Sequence, residues 1–290
     1  MAHQPSSNTH NDPLRREHYV PQFYLRYFVD TEGLLHCYDK VDDKVHRLST
    51  TDVAVAKGYF RVTLPDGAKR TLEGTLTDLE NVWKPAIDAV IATPHATDPI
   101  IRPPQQMTLV EKSPILVNFV AVQLLRPRAI RELIDADPAA HHQDTGDLLT
   151  DSLTFFHAVV LARGAQDLPA RLVGLTWRFV YNYTETPLWT SDNPVVMYAR
   201  SITRPTVAPI EEMLQSPGIR VHVPLTPGLA LAIFDPDVPL PLPASGMVDS
   251  RWVWASNRMV TRAALRHIIA SDATVDTARR ILAHQRVKEP

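Results

Sequence analysis

The sequence predicts an α+β fold with a helical middle, an N-terminal β-hairpin and a mainly antiparallel C-terminal sheet. Three observations carry that expectation. Near the N-terminus two short alternating runs, residues 34–39 and 44–48, flank the polar turn Val41-Asp42-Asp43, which is the period-two pattern of a hairpin. Through the middle of the chain apolar residues recur at three- and four-residue steps, the spacing of a helix face. From Leu175 onward short β-prone runs are each closed by proline or glycine, as antiparallel strands are.

In chain order, residues 1–13 are Ser, Asn, His, Gln and Pro with little to bury, and read as a disordered tail; residues 14–287 read as one domain. His18 to Phe28 packs five aromatics into eleven residues, a density that suits a wedge in the core better than a base-stacking platform. The hairpin follows, after a break at Gly33. Ser49-Thr50-Thr51-Asp52 resembles a helix start, and Tyr59-Phe60-Arg61-Val62 a strand that ends at Pro65-Asp66-Gly67. Leu72, Leu76, Leu79, Val82 and Trp83 then mark a helix, interrupted or kinked at Pro85, with Glu73 and Glu80 two turns apart. A proline-rich connector at 93–104 leads to a second helix over 108–130. That helix is apolar nearly all round from Ile115 to Leu125 except at Asn118 and Gln123, as a central core helix is. After a variable segment at 135–147, a further helix is expected over 148–162. Strands are expected at 176–181, 188–190, 195–198, 221–224 and 229–234, then a helix over 257–266, a short Ile268-Ile269-Ala270 segment and a closing helix over 276–287. No repeat at solenoid periods is found.

The chain has 290 residues, 44% of them hydrophobic, and its 30 basic and 32 acidic residues leave a net charge of −2. That is enough apolar content for a sizeable core. It gives no global field for a nucleic-acid partner, which leaves a local basic groove as the way such a partner could bind. The longest apolar runs fall far short of the roughly 20 residues a membrane span needs, so no membrane partner is expected. The first residues lack the basic start and apolar stretch of a secretory signal, and the single cysteine, Cys37, rules out an intrachain disulfide. Both agree with a cytoplasmic protein. Cys37 lies in the alternating Leu35-His36-Cys37-Tyr38 and reads as a half-buried strand residue rather than a nucleophile.

Several stretches resemble the DUF4238 family, an uncharacterised bacterial and fungal domain. They are His18-Tyr19-Val20-Pro21-Gln22-Phe23-Tyr24-Leu25-Arg26-Tyr27-Phe28, Tyr38-Asp39-Lys40, Gln123-Leu124-Leu125-Arg126, Thr190-Ser191-Asp192-Asn193-Pro194-Val195, Pro224-Leu225-Thr226-Pro227 and Asn257. The resemblance covers nearly the whole chain in one order. Tyr27 stands where the family commonly has a small polar residue, and the resemblance brings no catalytic assignment.

The residues themselves suggest where chemistry would sit. Asp192-Asn193-Pro194 closes an apolar strand; this is ordinary turn chemistry, or a carboxylate displayed at a strand end for a ligand. His18 is either a satisfied core histidine or a general base near neutral pH. Gln123 and Arg126 sit three apart on a nearly all-apolar helix and need partners. Arg126 pairs with Asp192, Glu80 or Glu73, or else forms a fork for a phosphate or carboxylate. Walker, zincin, dinucleotide-binding and nucleophile-elbow signatures are absent, and His141-His142 reads as loop, so no metal site is expected. The leading expectation is a hydrolase acting on a phosphodiester or nucleotide-type substrate, with His18, Asp192 and Arg126 catalytic and Gln22, Gln123 and Asn193 binding a small-molecule or nucleotide ligand. The competing expectation is a non-catalytic binding or interaction protein, in which the same residues form a buried network. No cofactor is assigned.

Overall fold

The computed structural model describes residues 15–64, 68–92, 113–135, 149–199, 210–238, 242–243 and 245–286. The expected tail at 1–13, the proline-rich connector, most of the variable segment with His141-His142, and Pro65-Asp66-Gly67 lie outside the described residues.

The expected α+β architecture is present. Strand β1 (Arg16–His18) pairs antiparallel with β4 (Val55–Lys57). Between them come helix α1 (Gln22–Leu25), a 3-10 turn (Arg26–Phe28), and the hairpin of β2 (Leu35–Asp39) and β3 (Lys44–Leu48). The aromatic segment is a core wedge. Tyr19, Val20, Phe23, Tyr24, Leu25 and Phe28 are all buried. Residues 49–52 form a turn rather than a helix start, because the Ser49 hydroxyl bonds locally, accepting from Thr51 N–H at 3.3 Å and from the Thr51 hydroxyl at 3.0 Å. Strand β5 (Arg61–Thr63) pairs with β6 (Lys69–Thr71), and Tyr59 and Phe60 precede it in a turn.

Helix α2 (Glu73–Ala92) runs through Pro85. Helix α3 (Pro114–Leu125) begins with proline at its first position and the Ser113 side chain accepting from Leu116 N–H, the site where a proline costs no hydrogen bond. Pro127 then divides the long helix expected there, and α4 (Arg128–Asp135) follows. Helix α5 (Leu149–Gly174) is a dozen residues longer than its expected end and continues past Pro169. It approaches α3 so closely that a Cβ at Gly164 would overlap the Leu125 side chain.

A five-stranded sheet has the order β12-β7-β11-β10-β9, with β7 (Thr176–Asn182), β9 (Val196–Tyr198), β10 (Arg220–Thr226), β11 (Leu229–Phe234) and β12 (Met247–Val248). It is antiparallel except where β12 meets β7. A Cβ at Gly246 would come within 2.6 Å of the Phe179 carbonyl, and its φ of +73° is left-handed, so glycine is required there. Pro224 sits in β10 beyond the reach of the short β9, which pairs only as far as His222, so no ladder bond is lost on that side. Helix α6 (Ile210–Leu214) precedes β10.

The second large sheet joins both ends of the chain. Its order is β3-β2-β13-β8, where β8 is Thr190–Ser191 and β13 is His267–Ala270. The expected N-terminal hairpin is therefore half of a sheet whose inner partner is the Ile268-Ile269-Ala270 segment. Helix α7 (Ser250–Ala263) starts two turns before the expected position, at an N-cap in which Asp249 accepts from Trp252 N–H at 2.9 Å. A 3-10 turn (Ala273–Thr277) and α8 (Ala278–Arg286) close the described chain. One contiguous core cluster runs from Tyr19 to Ile269 and takes in α2, α3, α5 and the inner face of the five-stranded sheet. Among the described residues no helix is long and apolar enough to cross a membrane.

Candidate functional site

Apart from Gln22, the residues singled out from the sequence lie at two networks. The first is built on Arg126, in the helical residue that caps α3. Its side chain is 1% exposed. Nη2 donates to the His18 carbonyl at 2.6 Å, Nη1 stands 2.7 Å from Glu80 Oε1, and the guanidinium lies 5.5 Å from the centre of the Phe60 ring. The partner is Glu80, one of the three carboxylates expected, and not Asp192. Burial lowers the pKa of Arg126 and the Glu80 charge opposes that fall. Glu17, buried in β1, belongs to the same neighbourhood: it accepts from Phe60 N–H at 2.6 Å and from the Thr71 hydroxyl at 3.4 Å. Glu73 is pushed up by burial and then by the Glu17 charge.

His18 sits above this cluster. Its Nε2–H donates to the Thr50 carbonyl at 3.2 Å, which leaves Nδ1 as the proton-accepting nitrogen. Burial lowers its pKa, so the ring is neutral at physiological pH. Gln123 is fully buried one turn before Arg126, and neither atom of its amide has a hydrogen-bond partner among the described residues; Arg126 Nε shares that condition. Phe119, one turn earlier on the same helix face, packs against Phe23, Tyr24 and Trp83. Gln123 thus lies on that face between an aromatic contact with α1 and α2 and the Arg126 ion pair. Gln22 does not join the group: its Oε1 accepts from Arg26 at 2.8 Å on the exposed side of α1.

The second network is built on Asp192, 1% exposed. Its carboxylate accepts from three successive backbone N–H groups, Leu265 at 2.9 Å, Arg266 at 2.7 Å and His267 at 3.0 Å. Burial raises the carboxyl pKa, and those three donors pull against the rise. A carboxylate engaged in this way holds a turn together. Asn193 does similar work, donating to the Ala263 carbonyl at 3.2 Å while its own N–H donates to Ser191 Oγ at 3.1 Å. Asp192 and Asn193 thus both sit against the turn at residues 263–267, the carboxylate through three backbone N–H groups and the amide through the Ala263 carbonyl.

Residues not singled out complete this second network. Asp39 accepts from Arg266 Nε at 2.8 Å and stands 3.4 Å from His267 Nε2; burial opposes its ionisation, but Arg266 and the Val41 and Asp42 amides hold its pKa at about 2. Lys40 donates to the Ala264 carbonyl at 2.6 Å, at the end of α7, where a cation is favoured. Asn257 bridges, accepting from Trp189 N–H and donating to the Pro187 carbonyl, each at 2.9 Å. The signal was present in the Tyr38-Asp39-Lys40 motif, but its meaning depended on a turn more than 220 residues away.

The aromatic segment links the two networks. The Tyr24 hydroxyl donates to the Pro224 carbonyl and accepts from Thr190, both at 2.7 Å, and the Tyr19 hydroxyl feels the charges of Asp192, Arg128 and Arg266. Three further groups hold reactive side chains. Ser256 and His222 form a buried pair at 2.7 Å, but His222 Nδ1 has no partner among the described residues to orient it, and burial lowers its pKa to about 4. Cys37 is fully buried and its thiol is pushed up to about 12. An open depression of about 580 Å³ is lined by Asp30, Glu32, His36, Arg47 and Asp272, but Asp30 is already held by His36 and Arg47. Among the described residues no three His, Cys, Asp or Glu side chains form a metal-binding group.

No curated protein and no solved structure matches the chain. A family model described as "Protein of unknown function (DUF4238)" matches residues 16–274. Those bounds enclose both networks, from β1 through the turn at 263–267, and the chain belongs to the DUF4238 family.

Proposed function

We propose that this protein is a non-catalytic binding or interaction protein, in which the distinctive polar residues of the sequence serve as an internal framework. The observation that carries this reading is the engagement of the Asp192 carboxylate by three backbone N–H groups, which ties it to the turn at 265–267. Arg126 supports it too, since its two terminal nitrogens face Glu80 and the His18 carbonyl and a buried guanidinium so held is not free to receive a developing anion. Residues 14–287 act as one unit on this reading, because the framework ties β1 to α2 and α3 and ties β2 to β13. A cytoplasmic location fits the single buried cysteine, which is neither paired nor accessible.

A hydrolase reading keeps one specific support. His18 is neutral, its Nε2 is fixed by Thr50, and Nδ1 is left to take a proton from water. Turnover of a chromogenic phosphodiester by the purified chain and by His18→Gln separates the two. The binding reading expects no hydrolysis above buffer from either protein. Hydrolysis by the native chain that disappears in His18→Gln, with melting temperature unchanged, would overturn it.

A further inference from the structure

Helix α7 has a buried face and an outward face of opposite character. Val253, Ser256, Asn257, Val260 and Thr261 are buried. At about 100° per residue, Arg251, Trp254, Arg258 and Arg262 all fall within an arc of about 100° on the other side. Only Ala255 shares that arc, so the outward face holds three guanidinium groups and one large ring, and no carboxylate. The Trp254 side is 54% exposed, and the Arg258 guanidinium lies 5.3 Å from the centre of its ring. Among the described residues none of the three arginines has a carboxylate partner. Arg262 is lowered by partial burial and then by the Arg258 charge, so the arginines repel one another. A second exposed ring, Tyr198 on the edge strand β9, is 44% exposed and close enough to Arg262 to act on its charge.

Uncompensated like charges held in a row are stabilised by an anion with repeated charges. From Arg251 to Arg262 the row spans about 17 Å at the rise of an α-helix, room for several phosphates of a single strand. An exposed indole beside arginine is the pairing that binds unstacked bases, through stacking and cation–π contact. A membrane surface fits less well, because the arc offers a single indole and too little apolar area to insert. We propose that the outward face of α7 is a docking surface for single-stranded nucleic acid, with Arg251, Arg258 and Arg262 meeting backbone phosphates and Trp254 stacking on a base. The net charge of −2 does not oppose this, since the field that counts is that of the local row. The site is separate from the His18–Arg126 network and stands whether or not His18 acts as a base.

The test is fluorescence anisotropy of a labelled oligouridylate of about 20 nucleotides, titrated with the full chain at several salt concentrations. The native chain is expected to bind, with log Kobs falling against log salt at a slope of about −2, as three neutralised phosphates on a single strand give. Arg258→Gln with Arg262→Gln should weaken binding about tenfold or more and flatten that slope by about 1.4. Trp254→Ala should weaken it about fivefold or more and leave the slope unchanged. Arg128→Gln, which removes an arginine paired with Glu132 on α4, should bind as the native chain does. All four substituted positions are at least partly exposed, and melting temperatures confirm that each variant is folded. The proposal is overturned if the native chain does not bind at low salt, if Arg128→Gln loses as much as the α7 variants, or if binding is indifferent to Trp254→Ala and equal for a duplex. Binding to phosphatidylserine vesicles in place of the oligonucleotide overturns it in favour of a membrane surface.

Discussion

Arg126 and Arg128 are two residues apart and differ in almost every physical respect. Arg126 is buried between Glu80 and the His18 carbonyl, whereas Arg128 meets Glu132 at 3.0 Å with about half of its side chain exposed. Lysine can keep the charge at position 126 but cannot reach both partners with one ammonium, so Arg126→Lys should lower stability by about 2–4 kcal/mol and Arg128→Lys by under about 1 kcal/mol. Urea midpoints of the two variants measure the difference, and equal midpoints would remove Arg126 from the framework. Asp192→Asn should cost on the order of 2 kcal/mol, because an amide offers one acceptor oxygen and turns an N–H toward the remaining backbone donors. His222 supplies a pH dependence. Its folded pKa is depressed to about 4 by burial, so between that value and the usual imidazole range near 6.5 the unfolded chain binds a proton that the folded chain does not. Its contribution is present in full above about pH 6.5 and declines as pH falls toward 4, by on the order of 3 kcal/mol. Chemical denaturation at pH 7 and pH 4.5 should show a smaller drop for His222→Gln than for the native chain.

At the scale of elements, the predictions concern places where one chain segment approaches another. Gly246→Ala should destabilise the protein by more than about 1 kcal/mol, since a left-handed φ and a Cβ pressed on the Phe179 carbonyl combine; thermal melting checks it, and an unchanged melting temperature would show that the β12 connection can shift at no cost. The same scale shows why some elements were legible and others not. The β2–β3 hairpin, β7 and β11 carry their own period and were found nearly to the residue. Strand β1 is three residues long and is a strand only because β4 lies beside it; β6 is as short and β12 has only two residues. The ends of α3 and α7 were displaced because apolar periodicity does not mark caps: Ser113 and Asp249 set those starts. For the site, the ion pair of Arg126 with Glu80 was legible as one of three options, since a buried cation demands a carboxylate. The fate of Asp192 was not, because its partners are backbone N–H groups, which every residue but proline possesses and no residue type announces.

At the scale of the molecule, β13 is the inner strand between β2 and β8, and among the described residues the N-terminal hairpin has no other strand to lean on. Amide hydrogens of Cys37 and Tyr38 in β2 and of Ile268 and Ile269 in β13 should therefore exchange with the same opening free energy, as members of one cooperative unit. Native-state hydrogen exchange followed by mass spectrometry would show this, and earlier exchange of β2 would mean that the hairpin opens by itself. The pairing of Cys37 with Ile269 also imposes an order in time. A ribosome that has delivered β2 must add about 230 more residues before β13 emerges, which takes about 10–50 s at roughly 5–20 residues per second. For that whole interval one side of β2 has its N–H and C=O groups open, beside the apolar residues Leu35 and Cys37, and it is the kind of strand that pairs with whatever nascent chain or chaperone comes first. The codons of β13, more than any step near the start, set the moment at which this strand edge can begin to be safe from aggregation.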